Sequence, residues 1–126
     1  MITPEAIAGL GARPAAQAAD ILALIRRAEA LSGHRVTRLA APEFRRGLAA
    51  LEDAAAVLGT PLVYVTHQAI LAAQPRCPTR SDAALRATGL ASVAEGCALA
   101  SGGALILPRI GGPGITCALS AWTVSA

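Results

Sequence analysis

The chain has 126 residues, of which 54% are hydrophobic, and only three of them are Phe, Tyr or Trp. Its formal net charge is +3, and all of its cationic side chains other than histidine are arginines. This length predicts one domain over residues 1–126, and scattered arginines with so few aromatic rings argue against a nucleic-acid-binding protein. Charge, Pro or Gly interrupts every apolar stretch before the roughly 20 residues of a membrane span, and residues 1–10 do not resemble a secretory signal. We therefore expect a soluble cytoplasmic protein.

The first sixty residues alternate between strand and helix patterns. Residues 5–10 are an apolar run that predicts a strand, and residues 11–14 (GARP) predict the turn after it. Residues 15–31 carry one apolar side, which predicts an amphipathic helix that ends near Gly33. A second strand over residues 35–40 precedes a helical segment that Pro42 opens and Gly59 ends.

The second half of the chain predicts three more strands. Residues 61–65 (PLVYV) are β-branched and aromatic, which favours a strand, and a short helix through Ile70 follows. Residues 74–81 contain two prolines and predict an exposed loop, with Ser81 as the N-cap of a helix over residues 82–87. A further helix over residues 92–100 is followed by strands over residues 104–107 and 115–124.

This order of elements predicts an α/β fold. We expect a single three-layer domain with a mixed, mostly parallel sheet of about five strands and helices on both faces, because strand–helix–strand units pair in parallel through right-handed crossovers. Only residues 108–114 connect the last two strands, which predicts an antiparallel C-terminal hairpin.

The cysteines and histidines do not predict a metal site or a catalytic nucleophile. Cys77, Cys97 and Cys117 are about twenty residues apart and form no C-x-x-C pair, so we expect free packing thiols. His34 and His67 have no neighbours at a metal-ligand spacing. We therefore expect no structural metal and no resident cofactor.

Two short patterns each allow a structural and a functional interpretation. Gly9 and Gly11 stand near a predicted strand-to-helix junction, where the backbone could approach a phosphate or carboxylate, although an ordinary tight turn fits the incomplete spacing better. Arg13, just beyond, suits an acidic ligand. Ser92 and Glu95 match the S-x-x-E capping box, and Glu95 could instead act on a ligand at the start of the helix.

Four segments in a fixed order resemble the CobE and CbiG C-terminal family of cobalamin (vitamin B12) biosynthesis proteins. They are AIAGLGARP at 6–14, LGTPLVYV at 58–65, TGLASVAEGCAL at 88–99 and ALILPRIGGPGITCAL at 104–119. The most specific part is S-V-A-E-x-x-A-L at 92–99. The family pattern usually has Cys where Ala12 stands and often Lys where Arg45 and Arg109 stand, so positive charge is kept at the latter two positions.

The resemblance implies a role around the precorrin-5 stage of corrin construction. Precorrins carry acetate and propionate groups, and arginines after the strands could converge on such a ligand at the carboxyl ends of the strands. These arginines are Arg13, Arg45, Arg76, Arg80 and Arg109. The substrate-binding residues that we predict are Gly9, Gly11, Arg13, Arg45, Thr79, Ser92, Glu95, Arg109 and Thr116.

Three functions are consistent with the resemblance and the residues. The first is binding a precorrin and handing it on to other enzymes of the pathway. The second is hydrolysis of a (cobalt-)precorrin-5A lactone with release of acetaldehyde, for which Glu95 would be the catalytic acid or base. The third is a small nucleotide- or anion-binding regulator. Expected partners are the tetrapyrrole, other cobalamin-pathway enzymes and a second copy of the chain in a homodimer, but neither nucleic acid nor a membrane.

Overall fold

The computed structural model describes residues 3–122 of the chain. Strands β1 to β5 span, in chain order, Glu5–Ala12, Arg35–Pro42, Leu62–Val65, Leu105–Gly112 and Ile115–Ala121. Helices α1 to α5 span Ala18–Ser32, Ala49–Leu58, His67–Ala73, Asp82–Thr88 and Val93–Ser101. Two short 3-10 turns span Glu43–Arg45 and Gln74–Arg76.

The five strands form one mixed sheet in the order β3-β2-β1-β5-β4. β1 pairs with β2, and β2 with β3, in parallel, whereas β5 is antiparallel to both β1 and β4. Strands β1 to β4 therefore run in one direction, and β5 runs against them. This arrangement confirms the predicted mixed, mostly parallel sheet and its antiparallel C-terminal hairpin. Residues 122–124 of the predicted last strand lie beyond β5, and 123 and 124 lie outside the described residues.

Helices cover both faces of the sheet because the side chains of β1 alternate between two apolar layers. Ala8 and Leu10 pack in one cluster with Ile21 of α1 and Leu51 of α2. Ile7, which points to the opposite face, packs with Ile70 of α3 and Cys97 of α5. The core is built from small aliphatic side chains, as the composition predicted.

Several element boundaries differ from those predicted at the glycines and prolines. β1 continues through Gly11 to Ala12, so the predicted turn is shorter than GARP. Pro42 ends β2 and does not open the following helix, because α2 begins only at Ala49. β4 extends to Gly112, and the hairpin turn is reduced to two residues, of which Gly114 has φ 71°. Glycine tolerates this left-handed conformation without steric cost.

Other local predictions agree with the structure. Gly59 ends α2 in the left-handed conformation, and the Ser81 hydroxyl accepts a hydrogen bond from the Ala84 amide as the N-cap of α4. All three cysteines are buried free thiols. Among the helices of residues 3–122, the longest has 15 residues, and none could span a bilayer.

Candidate functional site

A cleft of about 600 Å³ lies at the edge of the sheet where β1, β2 and β4 end. Its walls come from the ends of these strands, from α4 and from the start of α5. The lining residues are Gly11, Ala12, Arg13, Pro14, Pro42, Phe44, Arg45, Ser81, Ala83, Ala84, Ala87, Thr88, Ala91, Ser92, Val93, Arg109, Gly112, Gly114, Ile115 and Thr116. Its volume is within the range of about 300–1,000 Å³ that is usual for small-molecule sites.

The topology explains why the cleft lies at this edge. From β1 the chain proceeds outward to β2 and β3, and after β3 it crosses to the other side of β1, where β4 and β5 complete the sheet. The strand order therefore reverses beside β1. Open α/β sheets bind ligands in the crevice that such a reversal leaves at the carboxyl ends of the strands.

The cleft combines apolar walls with one sign of charge. Arg13, Arg45 and Arg109 line it, and within residues 3–122 no Asp or Glu is among the lining residues. Alanines of α4 and the ring of Phe44 supply much of the apolar surface. Such a surface favours an apolar ligand that carries carboxylates or phosphates.

The three arginines differ in how firmly they are held. The Arg45 side chain is half-buried, and its Nε donates a 2.7 Å hydrogen bond to the Ala12 carbonyl oxygen. Its guanidinium also lies over the Phe44 ring, 4.9 Å from the centroid. Arg13 and Arg109 are exposed, and their side chains make no hydrogen bond within the part of the chain that the structure describes.

Of the two interpretations of Ser92 and Glu95, the capping box at the start of α5 is wrong. The Ser92 hydroxyl does not accept from a backbone amide but donates to Glu95 Oε1 at 2.8 Å. Gln74 replaces Glu95 as the partner of the Ser92 backbone, since its Oε1 accepts from the Ser92 amide and its Nε2 donates to the Ser92 carbonyl, both at 2.9 Å. The start of α5 is thus fixed by a side chain from the preceding part of the chain.

The Glu95 carboxylate is a buried junction between three segments. Its exposed fraction is 0%, and it accepts four hydrogen bonds. Thr79 donates two of these bonds, from its amide at 2.9 Å and from its hydroxyl at 2.8 Å. The Ser92 hydroxyl donates the third and the Arg109 amide the fourth, at 3.0 Å. The carboxylate therefore ties the proline-containing loop, α5 and β4 together.

These hydrogen bonds determine the protonation state of Glu95. Burial alone would raise the pKa of the carboxyl group, but the amides of Arg109 and Thr79 and the hydroxyls of Thr79 and Ser92 outweigh it. The pKa of Glu95 therefore lies below its ordinary value. A carboxylate held ionised by donors, without a cation, is stabilised by hydrogen bonding to its charged form.

The structure brings six of the nine predicted substrate-binding residues to the cleft and leaves three outside it. The six are Gly11, Arg13, Arg45, Ser92, Arg109 and Thr116. Gly9, Thr79 and Glu95 do not line it. Of the five arginines expected to converge, Arg76 and Arg80 are exposed and do not line the cleft, although Arg80 directly precedes the lining residue Ser81.

Gly9 has a packing role that accounts for its identity. A Cβ at this position would lie 2.5 Å from the backbone nitrogen of Ala98, so only glycine lets β1 approach α5 this closely. Both Gly9 and Gly11 lie inside β1, five or more residues before α1 begins. The glycine turn at a helix start that a phosphate site requires is therefore not formed by these residues, which contradicts that interpretation.

Sequence reasoning missed Phe44, Gln74 and a second compartment. Phe44 lines the cleft and supports Arg45, and its position directly after a strand was a usable signal. Gln74 had no such signal, because its partner Ser92 is 18 residues away.

Beside the cleft lies a smaller space of about 360 Å³, lined by Phe44, Arg45, His67, Ala87 and Thr88. Within residues 3–122 no cluster of three His, Cys, Asp or Glu side chains could hold a metal ion.

Comparison with known proteins identifies the family. The family described as cobalamin synthesis G C-terminus matches residues 6–120. The solved structure of CobE, a protein from the cobalamin (vitamin B12) biosynthetic pathway, is 28% identical with a TM-score of 0.85, and the match covers 94% of this chain and 93% of that one. Cobalamin biosynthesis protein chiG from Agrobacterium tumefaciens is 33% identical with a TM-score of 0.74, covering 94% of this chain and 99% of that one.

A more distant structure shares the fold alone. A cobalamin biosynthesis protein G homolog from Sulfolobus solfataricus is 19% identical with a TM-score of 0.68, and the match covers 97% of this chain but 38% of that protein. No curated protein matches the sequence. The family match over nearly all of the described residues, together with the two closer structures, agrees with the fold and motif order seen here. The chain belongs to the cobalamin synthesis G C-terminal family.

Proposed function

We propose that the chain binds a precorrin intermediate around the precorrin-5 stage in the cleft at the carboxyl edge of the sheet and hands it to another enzyme of the pathway. The observation that carries the proposal is the set of three arginines around one apolar cleft without an acidic lining residue. A precorrin combines a broad apolar macrocycle with several carboxylates, so its surface complements this cleft in both respects.

The start of α5 contributes the partial charges of its first-turn amides to one wall of the cleft. Ser92 and Val93 line it, and the Ser92 side chain does not cap the first turn of the helix. The amide groups of a first helical turn carry a partial positive charge, which favours an anionic group close by. The ionised Glu95 carboxylate lies in the same turn and opposes this charge, so the three arginines supply the positive potential of the cleft.

Hydrolysis of a precorrin-5A lactone receives less support from the geometry. Glu95 would be the catalytic acid or base of this reaction, but it does not line the cleft. Both of its carboxylate oxygens already accept hydrogen bonds from Thr79, Ser92 and Arg109. A general acid or base must come within hydrogen-bond reach of the proton it moves. We therefore assign Glu95 a structural role. A nucleotide-binding regulator is also disfavoured, because Gly9 and Gly11 do not form a phosphate-binding turn.

The proposal is tested by titrating the purified protein with precorrin-5 and cobalt-precorrin-5 intermediates. The visible spectrum of the tetrapyrrole reports binding, and acetaldehyde in the solution reports hydrolysis. We expect a saturable spectral change at one ligand per chain without acetaldehyde. Catalytic release of acetaldehyde would support the hydrolase instead, and an unchanged spectrum with every intermediate would reject binding.

A matched pair of variants tests the place of binding. Arg109→Gln removes one positive charge from the cleft, and Arg26→Gln removes one from the exposed side of α1, outside the cleft. Because Arg109 is exposed, we expect its loss to weaken binding by about 0.5–1.5 kcal/mol at low salt. Arg26→Gln should leave the affinity unchanged. Equal effects of the two variants would show that only net charge matters.

A further inference from the structure

We infer that Arg45 is the group that fixes the orientation of the ligand, and that the ligand extends past Arg45 into the smaller compartment beside the cleft. The role rests on the proposed function, because it requires a ligand with several carboxylates. It goes further by distinguishing the three cleft arginines and by assigning a use to the second compartment.

Two contacts orient the Arg45 guanidinium before any ligand arrives. Its Nε is engaged by the Ala12 carbonyl oxygen at 2.7 Å, and its plane is supported by the Phe44 ring at 4.9 Å. The two terminal nitrogens donate to no protein acceptor within residues 3–122. Arg45 thus presents a planar pair of donors in a fixed direction, which is the geometry that binds a carboxylate with two parallel hydrogen bonds.

The other two cleft arginines lack this preparation. Arg13 and Arg109 are exposed, so each must lose rotamer freedom when it contacts a ligand. Salt also screens the attraction between an exposed cation and an anion more than it screens a partly buried pair. Arg13 and Arg109 therefore attract a polycarboxylate without directing it, whereas Arg45 selects one carboxylate and one orientation.

The second compartment adjoins the cleft at the same arginine. Of the five residues that line it, Phe44, Arg45, Ala87 and Thr88 also line the cleft, and His67 is added. A carboxylate held by Arg45 at this junction places neighbouring substituents of the ligand toward His67. The imidazole can form a hydrogen bond with a polar substituent there. His67 is exposed, so it adds a contact for the ligand in this compartment, whereas Arg45 fixes the orientation.

The probe for these roles is uroporphyrin III, a stable tetrapyrrole with acetate and propionate side chains, followed by absorbance and fluorescence. The wild type is compared with Arg45→Gln, Arg109→Gln and Arg46→Gln at about 20 mM and about 500 mM NaCl. Interactions between exposed charges are weakly screened at the lower salt concentration and strongly screened at the higher one. Arg46 is the matched control, because it also stacks on an aromatic ring, Tyr64 at 4.5 Å, but does not line the cleft.

We expect Arg45→Gln to lower the affinity about tenfold or more at both salt concentrations, as the loss of a fixed charged hydrogen bond predicts. Arg109→Gln should lower it at low salt only, and Arg46→Gln should bind like the wild type. His67→Ala should lower the affinity about threefold, since one neutral hydrogen bond is lost. Urea unfolding of each variant checks that the fold is retained.

A second measurement does not depend on the ligand. In the free protein, the Nε–H of Arg45 should give a resolved 15N–1H signal that exchanges slowly with water, unlike those of Arg13 and Arg109. Rapid exchange of the Arg45 signal would overturn the fixed orientation. So would an Arg45→Gln effect that disappears at high salt. Unchanged binding by His67→Ala would overturn the role of the second compartment. No binding of uroporphyrin III by the wild type would overturn both roles, whereas the proposed function is rejected only if the precorrin intermediates also fail to bind.

Discussion

Replacing Glu95 with glutamine should destabilise the fold, although the two side chains have the same shape. The Thr79 amide donates to one carboxylate oxygen and the Arg109 amide to the other. A glutamine has one oxygen, so its NH2 group must face one of these two backbone N–H donors. The hydroxyls of Thr79 and Ser92 can rotate and accept, but a backbone amide cannot.

The size of the effect follows from these contacts. One buried backbone N–H is left without an acceptor, which costs about 1–3 kcal/mol, and the remaining hydrogen bonds lose the extra strength that a charged acceptor gives. Part of this loss is offset, because the neutral glutamine no longer has to bury a negative charge at a site with 0% exposure. We expect the free energy of unfolding to fall by about 2–4 kcal/mol, a large part of the roughly 5–15 kcal/mol of a typical domain.

Urea unfolding at pH 7, followed by circular dichroism, measures the difference. Glu52→Gln is the control, because Glu52 is exposed on α2 and should change the free energy of unfolding by less than about 1 kcal/mol. A loss below about 1 kcal/mol for Glu95→Gln would refute the reasoning, since glutamine would then satisfy the site as it satisfies a capping box.

Acid should remove the same contribution from the wild type. Because the pKa of Glu95 is lowered in the folded state, its stabilising effect is fully present above the unfolded-state pKa of about 4.3. It is lost as the pH falls through the lower folded-state pKa. The free energies of unfolding of the wild type and Glu95→Gln should therefore converge as the pH falls below about 4.3. A constant difference over this range would contradict the assignment.

Two further predictions concern packing. Gly9→Ala should destabilise the protein by about 1–3 kcal/mol, because the new Cβ meets the Ala98 backbone, whereas Gly111→Ala, with no atom within 4 Å of the added Cβ, should be nearly neutral in urea unfolding. Thiol reagent should label Cys77 before Cys117, since Cys77 is slightly exposed and burial raises the pKa of Cys117 to about 12. Simultaneous labelling of both in the native protein would contradict the burial.

The sheet and its helices could be predicted because their signals are periodic and local. Apolar runs such as residues 61–65 and the one-sided helix near Ile21 need no knowledge of distant residues. The parallel pairing of the first strands and the antiparallel C-terminal hairpin then followed from general connection rules, whereas the order of the strands in the sheet was not predicted. The positions of Arg13 and Arg45 at one edge were accessible for the same reason, since they come just after β1 and β2. Arg109 was expected after the fourth strand but lies within β4, because that strand continues to Gly112.

The hydrogen-bond network around Glu95 could not be predicted from local pattern. Its donors Thr79 and Arg109 are 16 and 14 residues away, and nothing in the S-x-x-E spacing indicates them. The capping box is recognised from four consecutive residues alone. The same four residues can instead bind partners that are distant in sequence, and the local pattern does not distinguish the two cases. Here Gln74 forms the hydrogen bond to the Ser92 amide that the capping box assigns to Glu95, and the Glu95 carboxylate binds long-range donors instead.

The position of β5 inside the sheet has a consequence for synthesis on the ribosome. β5 lies between β1 and β4, although it follows every other described element in sequence. Until residues 115–121 leave the exit tunnel, β1 has an open edge and its apolar side chains lack one neighbour. A nascent chain at that stage can pair β1, β2 and β3 but cannot close the sheet, and such unpaired edges are prone to aggregation. The sheet should therefore close only after residues 115–121 have emerged, and the open edge of β1 persists while α4 and α5 are already outside the tunnel.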